Sequence, residues 1–560
     1  MSQLACSPGS HGQVRTSIKL GTLIVVIVVL LFLLDNRFNV LPEALHNALP
    51  AHHPGFVVTD INVATCSTLN LLSSCRLDQN KWLRVEKDLY LSNRWLSHAF
   101  IHIERKRESD LTDKDRVILD LRIGSLDPML AEKGQGAERW ESRQSGIWVK
   151  RTSKHRDADK DQAITAVDVL FGSDSVEARP GWTRAAQPLV LPDVGGENQG
   201  AYLTVRRGIP YEKQTPTLHI NSDGKFKVLQ VADLHLATGP GICREPEPPS
   251  DSNGKCSADL RTLAFLSSVL DDEKPDLVIL SGDQVNGETA PDAQSAVFKF
   301  ASVFIERKIP FATIFGNHDD EGSLSREALM QLVHTLPYSL SEAGPTNIDG
   351  VGNYVVEVNG RGGSPHSALT LYLLDTHGYS PDERQFRGYD WLKKNQIDWF
   401  RTTVQQRKNS QAHTGYKRIH MDMAFIHIPL PEYRIAADIV PQTGRQLEAP
   451  TAPGFNSGFR DALIEEGVLA VSCGHDHVND YCSLSRTQDG KPELWMCYAG
   501  GVGFGGYGGY GGYHRRVRVF EYDMNEARIT TWKRVEWAEP QNKVDEAIIV
   551  EGGKVVSLNQ

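Results

Sequence analysis

Seven side chains of metal-binding type stand at the ends of short apolar runs spread over nearly half the chain. They are Asp233 and His235 in Val231-Ala232-Asp233-Leu234-His235, Asp283 after Ser281-Gly282, Asn317 in Gly316-Asn317-His318-Asp319, His427 in Phe425-Ile426-His427, and His475 and His477 in Gly474-His475-Asp476-His477. Carboxylate and amide oxygens mixed with imidazole nitrogens suit hard-to-borderline divalent cations. The donors suffice for two adjacent ions, with the two oxygens of Asp283 able to bridge them. Gly282, Gly316 and Gly474 each precede a candidate ligand, where a side chain would crowd the turn that carries the backbone to the metals. One Asp-x-His or Gly-Asp is a chance pattern, but five such segments in this order point to a single dinuclear site. Two cations held this way would supply Lewis acidity and lower the pKa of water, the chemistry of metal-assisted hydrolysis.

The elements that must position these groups read as α/β. Apolar strand candidates at 228–231, 277–280, 311–315, 369–374, 424–428 and 468–471 alternate with helical stretches at 260–270, 296–305, 326–335 and 392–404. Continuous apolar character is expected of strands covered on both faces. Every candidate ligand follows a strand's C-terminal end, the edge on which open α/β sheets gather their binding loops. Upstream, residues 61–215 read as a small β-rich domain, with short β-prone segments at 89–91, 99–103, 116–121, 146–149 and 201–205 between charged or Gly/Pro-rich turns. The charged loop 150–162 reads as a solvated connection, and residues 36–60 as a tether. The α/β domain that carries the candidate ligands is expected over 216–540, followed by a C-terminal tail at 541–560.

The order of Asp233/His235, Gly282-Asp283, Gly316-Asn317-His318, His427 and Gly474-His475-Asp476-His477 resembles the calcineurin-like metallophosphoesterase superfamily over residues 226–520. Further blocks, Gly388-Tyr389-Asp390-Trp391, Gln396-Ile397-Asp398-Trp399-Phe400 and His427-Ile428-Pro429-Leu430-Pro431-Glu432-Tyr433, are similar to the fungal branch related to the yeast dosage-dependent cell cycle regulator phosphatase and to purple-acid-phosphatase-like plant proteins. The resemblance implies a two-sheet sandwich flanked by helices. It also implies one metal on Asp233, His235, Asp283 and His477, and a second on Asp283, Asn317, His427 and His475. His318 then acts as general acid or phosphate stabiliser, with orientation of Asn317 as its other reading. Asn286 stands where purple acid phosphatases carry a metal-bound Tyr, which argues against a strictly ferric site and a purple colour. Mn, Zn or Fe(II) all remain open.

The implied activity is hydrolysis of phosphate monoesters, on a phosphoprotein or a small ester. A phosphodiesterase with the same site and, further off, a non-catalytic binding module are the alternatives. Asp375-Thr376-His377 ends a strand on the same edge and reads either as pocket lining or as a helix cap. Arg434 and Arg515-Arg516 are candidates to meet phosphate, and the glycine stretch 500–512 reads as a long loop whose backbone comes close to the site or to a neighbouring strand, its tyrosines packing on the surface or contacting substrate.

A membrane segment is expected at residues 17–35, after a short tail at 1–16. Leu20 to Leu34 is an uncharged run of Leu and β-branched residues, which Ser17, Ile18 and a snorkelling Lys19 extend to a marginal crossing. A cleaved signal peptide is the other reading, but no small-x-small site follows. Arg15 and Lys19 before the run outweigh Arg37 after it, which places the bulk of the chain in a lumen, vacuolar or secretory; a cytosolic-facing domain stays open. Cys66/Cys75, Cys243/Cys256 and Cys473/Cys482/Cys497 are close enough in sequence to pair, as an oxidising compartment allows, whereas no Asn-x-Ser/Thr acceptor follows the run. A net charge of -10 with no basic cluster excludes nucleic acid as a natural partner.

Overall fold

The computed structural model describes residues 55–67, 75–91, 97–126, 138–153, 162–192, 200–249, 255–364, 366–410, 419–434, 441–508 and 512–558. The expected membrane segment 17–35, the tail before it, most of the tether and most of the charged loop lie outside them. No helix among the described residues is long and apolar enough to cross a membrane.

Two compact units are present. The first runs to Val169 and takes back Ala185–Pro192 and Leu203–Tyr211; the second holds Leu170–Arg184, the stretch ending at Tyr202, and the chain from Glu212 onward. The chain therefore crosses between units several times instead of once near residue 215. In the first unit β1 (Phe56–Ser67), β2 (Leu83–Arg84) and β3 (Ser97–Arg107) pair antiparallel in the order β1-β3-β2. Next, β4 (Val117–Ile123), β5 (Glu138–Ser142) and β6 (Ile147–Thr152) pair in the order β4-β6-β5. Period-2 alternation drives these sheets: Ala99, Ile101 and Ile103 of β3 are buried on one face. The strand β1 begins inside the stretch expected as tether, because Val57, Val58, Ile61 and Val63 have a core to fill. Residues 89–91, expected to be extended, form a turn, with Leu91 at φ 51°. Strands β7 (Ile164–Phe171), β8 (Trp182–Arg184) and β9 (Ala201–Arg207) follow.

The second unit continues through β10 (Leu218–His219), β11 (Lys225–Val231), α1 (Ala258–Glu273), β12 (Leu277–Ser281), α2 (Ala293–Arg307), β13 (Phe311–Ile314), α3 (Arg326–His334), β14 (Tyr354–Asn359) and β15 (Ser367–Leu373). It then runs through α4 (Lys394–Lys408), β16 (Met421–Phe425), β17 (Pro441–Thr443), α5 (Phe459–Glu465), β18 (Ala470–Cys473), β19 (Cys482–Arg486), β20 (Pro492–Tyr498), β21 (Arg516–Asp523), β22 (Arg528–Val535), β23 (Val544–Glu551) and β24 (Lys554–Val555). One sheet has the order β13-β12-β11-β21-β22-β23-β24, the other β10-β14-β15-β16-β18-β20-β19-β17. The last two strands correct the expected tail at 541–560: Ala547, Ile549 and Val550 are buried, so the segment extends the first sheet.

Side chains alternate between cores on the two faces of each sheet. Leu229, Val231, Val278 and Leu280 pack with α1, α2 and α3, while Val228, Leu277 and Ile279 meet Leu369, Leu371, Met423 and Phe425 between the sheets. Tyr372, Ala424 and Ile426 face α4 and α5. The result is a helix, sheet, sheet, helix sandwich. Just below its catalytic-type edge the buried Gln230 bridges the sheets, its Nε2 donating to Ser281 Oγ (2.9 Å) and its Oε1 accepting from Ser472 Oγ (2.5 Å). Because β11, β12, β13, β16 and β18 end together, the residues that follow them converge.

Candidate metal centre

Ligand atoms of Asp233, His235, Asp283 and His477 lie within 4.8 Å of one another, and so do those of Asp283, His427 and His475. Asp283 belongs to both groups. Asn317 lies between Gly316, which packs on the Asp283 carboxylate, and His318, whose backbone N–H donates to Asp283 Oδ1 (2.9 Å). All seven expected donors are thus brought to one place, and all are buried.

Sharp backbone turns achieve this. Asp233, His235, Asp283 and His475 have φ of 58°, 47°, 55° and 79°, a left-handed region that non-glycine residues enter only where the surroundings hold them. Asp319 supplies part of that hold, accepting the backbone N–H groups of Asp283 (2.9 Å), Val285 (2.9 Å) and Gly316 (2.7 Å). A Cβ at Gly282 would strike the His427 ring, and one at Gly316 the Asp283 carboxylate, so neither position tolerates a side chain.

The donor atoms are arranged for a cation. Asn317 Oδ1 and His475 Nε2 are buried without a hydrogen-bond partner, and His427 Nε2 meets the Asp283 carboxylate at 3.3 Å; the two unpaired atoms cost free energy unless something positive sits beside them. His477 Nδ1 donates to Tyr507 O (2.8 Å), which fixes its tautomer with the Nε2 lone pair inward, and His427 Nδ1 donates to Ser281 O (2.9 Å), which turns its Nε2 toward Asp283 Oδ2 at 3.3 Å. His235 Nε2 and His477 Nε2 stand 3.0 Å apart, again facing each other. Burial pushes His235 and His475 down to about 3, so both rings are neutral, as ligation requires. Burial raises Asp233 well above the usual carboxylate range. For Asp283 burial is the largest single cause and acts the same way, but the charge and hydrogen bond of His427 together with His235 and His318 outweigh it and hold the carboxylate low; His427 in turn is carried up to about 9 by Asp283 and Asp233 against its own burial. These opposed shifts describe a crowded set of charges that two divalent cations would reconcile.

His318 is partly exposed beside the centre, its ring 5.3 Å from that of His235. Its Nδ1 is 2.7 Å from Glu321 Oε2, which leaves Nε2 free to act on a ligand. Glu321 Oε1 also accepts from Tyr379 Oη (3.2 Å), and Asn317 Nδ2 reaches the same hydroxyl at 3.5 Å. Neither Glu321 nor Asp319 is flagged by sequence, although both follow His318 within three positions, which was the available signal.

The glycine stretch approaches the centre as backbone. Gly501 N donates to His477 O and Gly503 N to Asp233 O, both at 2.9 Å, and Tyr507 stacks on His477 with centroids 3.9 Å apart. Tyr507 Oη donates to Glu448 Oε1 (2.9 Å), so this tyrosine supports a candidate ligand from within the fold. Other expected contacts go elsewhere. Arg515 is spent on the carbonyls of Gly503, Gly506 and Arg244, Arg516 on Asp480, and Arg434 on Pro453 O (2.8 Å). Asp375 accepts from Arg326 and from the Val351 and His377 backbone, Thr376 Oγ1 accepts from Ile428 N, and His377 pairs with Gln396, so this trio braces loops and caps no helix. Of the cysteines, Cys66–Cys75, Cys243–Cys256 and Cys482–Cys497 are disulfide-bonded, and Cys473 is free and buried.

The family description Calcineurin-like phosphoesterase matches residues 226–479. Phosphatase DCR2 of Saccharomyces cerevisiae is 38% identical over 386 residues, 66% of this chain and 64% of its own length, so the match spans just under two thirds of that relative. An uncharacterized protein of Schizosaccharomyces pombe is 31% identical over 496 residues, 87% of this chain and 88% of its own. A protein of Arabidopsis thaliana named probable inactive purple acid phosphatase 14 is 37% identical over 343 residues, 59% of this chain and 83% of its own.

Proposed function

The chain belongs to the calcineurin-like phosphoesterase family, and from that premise we propose that it is a dinuclear-metal phosphatase that hydrolyses phosphate monoesters, tethered to a membrane through residues 17–35. The observation that carries the reading is the set of buried donors on Asn317, His427 and His475, those of Asn317 and His475 without a hydrogen-bond partner, beside the carboxylate of Asp283, itself within reach of Asp233, His235 and His477. Mn, Zn and Fe(II) all suit these donors. When bound, two such ions supply Lewis acidity, drawing charge from the phosphoryl oxygens and lowering the pKa of water.

The chain's own residues do the rest. Asp283 holds the two donor groups in one frame, and Asp319 holds Asp283 by its backbone. His318, oriented through Nδ1 by Glu321, gives a proton from Nε2 to the departing oxygen. A second reading, a fold that binds phosphate without turning it over, draws on the word inactive in the name of the Arabidopsis relative; the complete donor set argues against it.

The deciding experiment measures phosphate release from a monoester, a diester and a phosphopeptide by the full-length chain loaded with Mn, Zn or Fe, with bound metal quantified. Release from the monoester in proportion to bound metal is the expected result, preference for the diester makes the protein a phosphodiesterase, and no release with two metals bound favours the binding module. The catalytic domain faces a lumen in this reading, so protease added outside sealed membranes should leave it intact; digestion would put it in the cytosol.

A further inference from the structure

Tyr379 is 54% exposed although its hydroxyl is engaged, and it stands on the rim of the metal centre. Its ring stacks on Tyr389 with centroids 5.6 Å apart and an interplanar angle of 22°. Tyr389 meets the His475 ring edge-on, at 4.3 Å and 90°. The pair is also tied by a backbone bridge between residues 379 and 389. One face of Tyr379 is therefore backed by a second aromatic ring that rests on a candidate metal ligand, and the hydroxyl is held by Glu321, the same carboxylate that orients His318.

A planar ring fixed at its edge and backed on one face has lost its freedom already, so a ligand that covers the other face need not pay to order it. The position matters as much as the rigidity. Glu321 holds Tyr379 with one oxygen and His318 with the other, so the Tyr379 ring and the group that would protonate the leaving oxygen are fixed to the same carboxylate.

We propose that Tyr379, backed by Tyr389, is a stacking platform that selects phosphate monoesters with an aromatic leaving group, phosphotyrosine or another aryl phosphate, over alkyl esters. The proposal rests on the phosphatase reading above. An aryl ring offset over Tyr379 gains an aromatic pair that an alkyl group cannot make.

The test compares phosphotyrosine with phosphoserine as free phosphoamino acids on the full-length, metal-loaded chain. In Tyr379→Leu the ratio of kcat/KM between the two is expected to fall about three- to tenfold, chiefly through KM, with bound metal unchanged. Taking the ratio relative to wild type cancels the intrinsic difference between the leaving groups. Tyr379→Phe keeps the ring and should keep the ratio; if it falls as in the Leu variant, the hydroxyl and not the ring is responsible and the platform is wrong. An unchanged ratio in Tyr379→Leu also overturns it. Calorimetric binding of phenylphosphonate and methylphosphonate to the unmodified, zinc-loaded chain needs neither a variant nor turnover. Tighter binding of the phenyl compound by a similar factor supports the platform and equal binding refutes it. Absence of turnover on every ester while that binding difference persists would remove the phosphatase reading and leave the platform standing.

Discussion

Around Asp233, His235 and His477 the centre is walled by the glycine stretch, as backbone plus the Tyr507 ring, whereas around Asn317, His427 and His475 it is bordered by side chains. On the first side Gly501 and Gly503 donate to the carbonyls of His477 and Asp233, and a Cβ at Gly506 would lie 2.5 Å from the His477 ring and 2.7 Å from that of His235. On the second, Tyr379 and Tyr389 crowd in and the donor atoms of Asn317 and His475 have no hydrogen-bond partner, while the partly exposed His318 next to Asn317 reaches across to the His235 ring. Backbone cannot move aside without refolding a loop, but side chains can be exchanged. The covered half is therefore suited to keeping an ion and the bordered half to meeting a substrate, a division that evolution could vary by loop replacement without disturbing the frame.

The largest test of this division is the group common to both halves. Asp283→Asn should lower turnover on the order of a thousandfold and empty both metal positions; loss of one ion alone would show that the halves do not share it. Next comes the far anchor of the backbone wall. Asp480 is buried against Arg516, which follows the glycine stretch, and against Lys533 at 2.8 Å. Asp480→Asn takes the carboxylate from Arg516 and leaves Lys533 with Asp545 alone, and should cost about 3–5 kcal/mol in a denaturant titration, with the His477 side loosening first. Burial alone would raise this carboxylate, but Arg516 and Lys533 hold it down at about 2. A depressed carboxylate contributes stability above its unfolded pKa and loses it on acidification, so the difference from the variant should shrink between about pH 4 and pH 2. A smaller effect is expected from Gly506→Ala, which intrudes on the covered half only: affinity for one of the two ions should fall about 10–100-fold by competition with a chelator, and equal weakening of both would erase the distinction. The smallest belongs to Tyr507→Phe, which keeps the stack on His477 but loses the link to Glu448; about tenfold or less in the affinity of the same ion is expected.

The strand ends carrying the seven donors were legible because continuous apolar runs stop abruptly at glycine or a polar residue, a signal that survives without an alignment. Helices α1 to α4 were legible from their periodicity. What stayed hidden has other causes. Asp319 works by accepting backbone N–H groups, and no periodicity marks such a role. Tyr507 sits in a repetitive Gly-Tyr stretch in which each tyrosine looks alike, and only packing distinguishes the one on His477. Strand β23 mixes Asp545 and Glu546 with its apolar residues, a pattern that reads as a solvated tail until β22 is seen beside it. Arg515 and Arg516 looked available for phosphate because sequence gives charge but not the carbonyls and carboxylate that already occupy them.

The left-handed corners at Asp233, His235, Asp283 and His475 have a bearing on how long the protein lasts. Each such corner costs about 1–3 kcal/mol when its surroundings stop enforcing it. The two ions that between them grip all four work as a clasp, and by mass action an ion present at a hundred times its dissociation constant adds about 2.7 kcal/mol to the native state. Starving a compartment of these ions would then do more than slow a reaction: it would let this edge spring open, hand the loops to proteases and lower the amount of protein present.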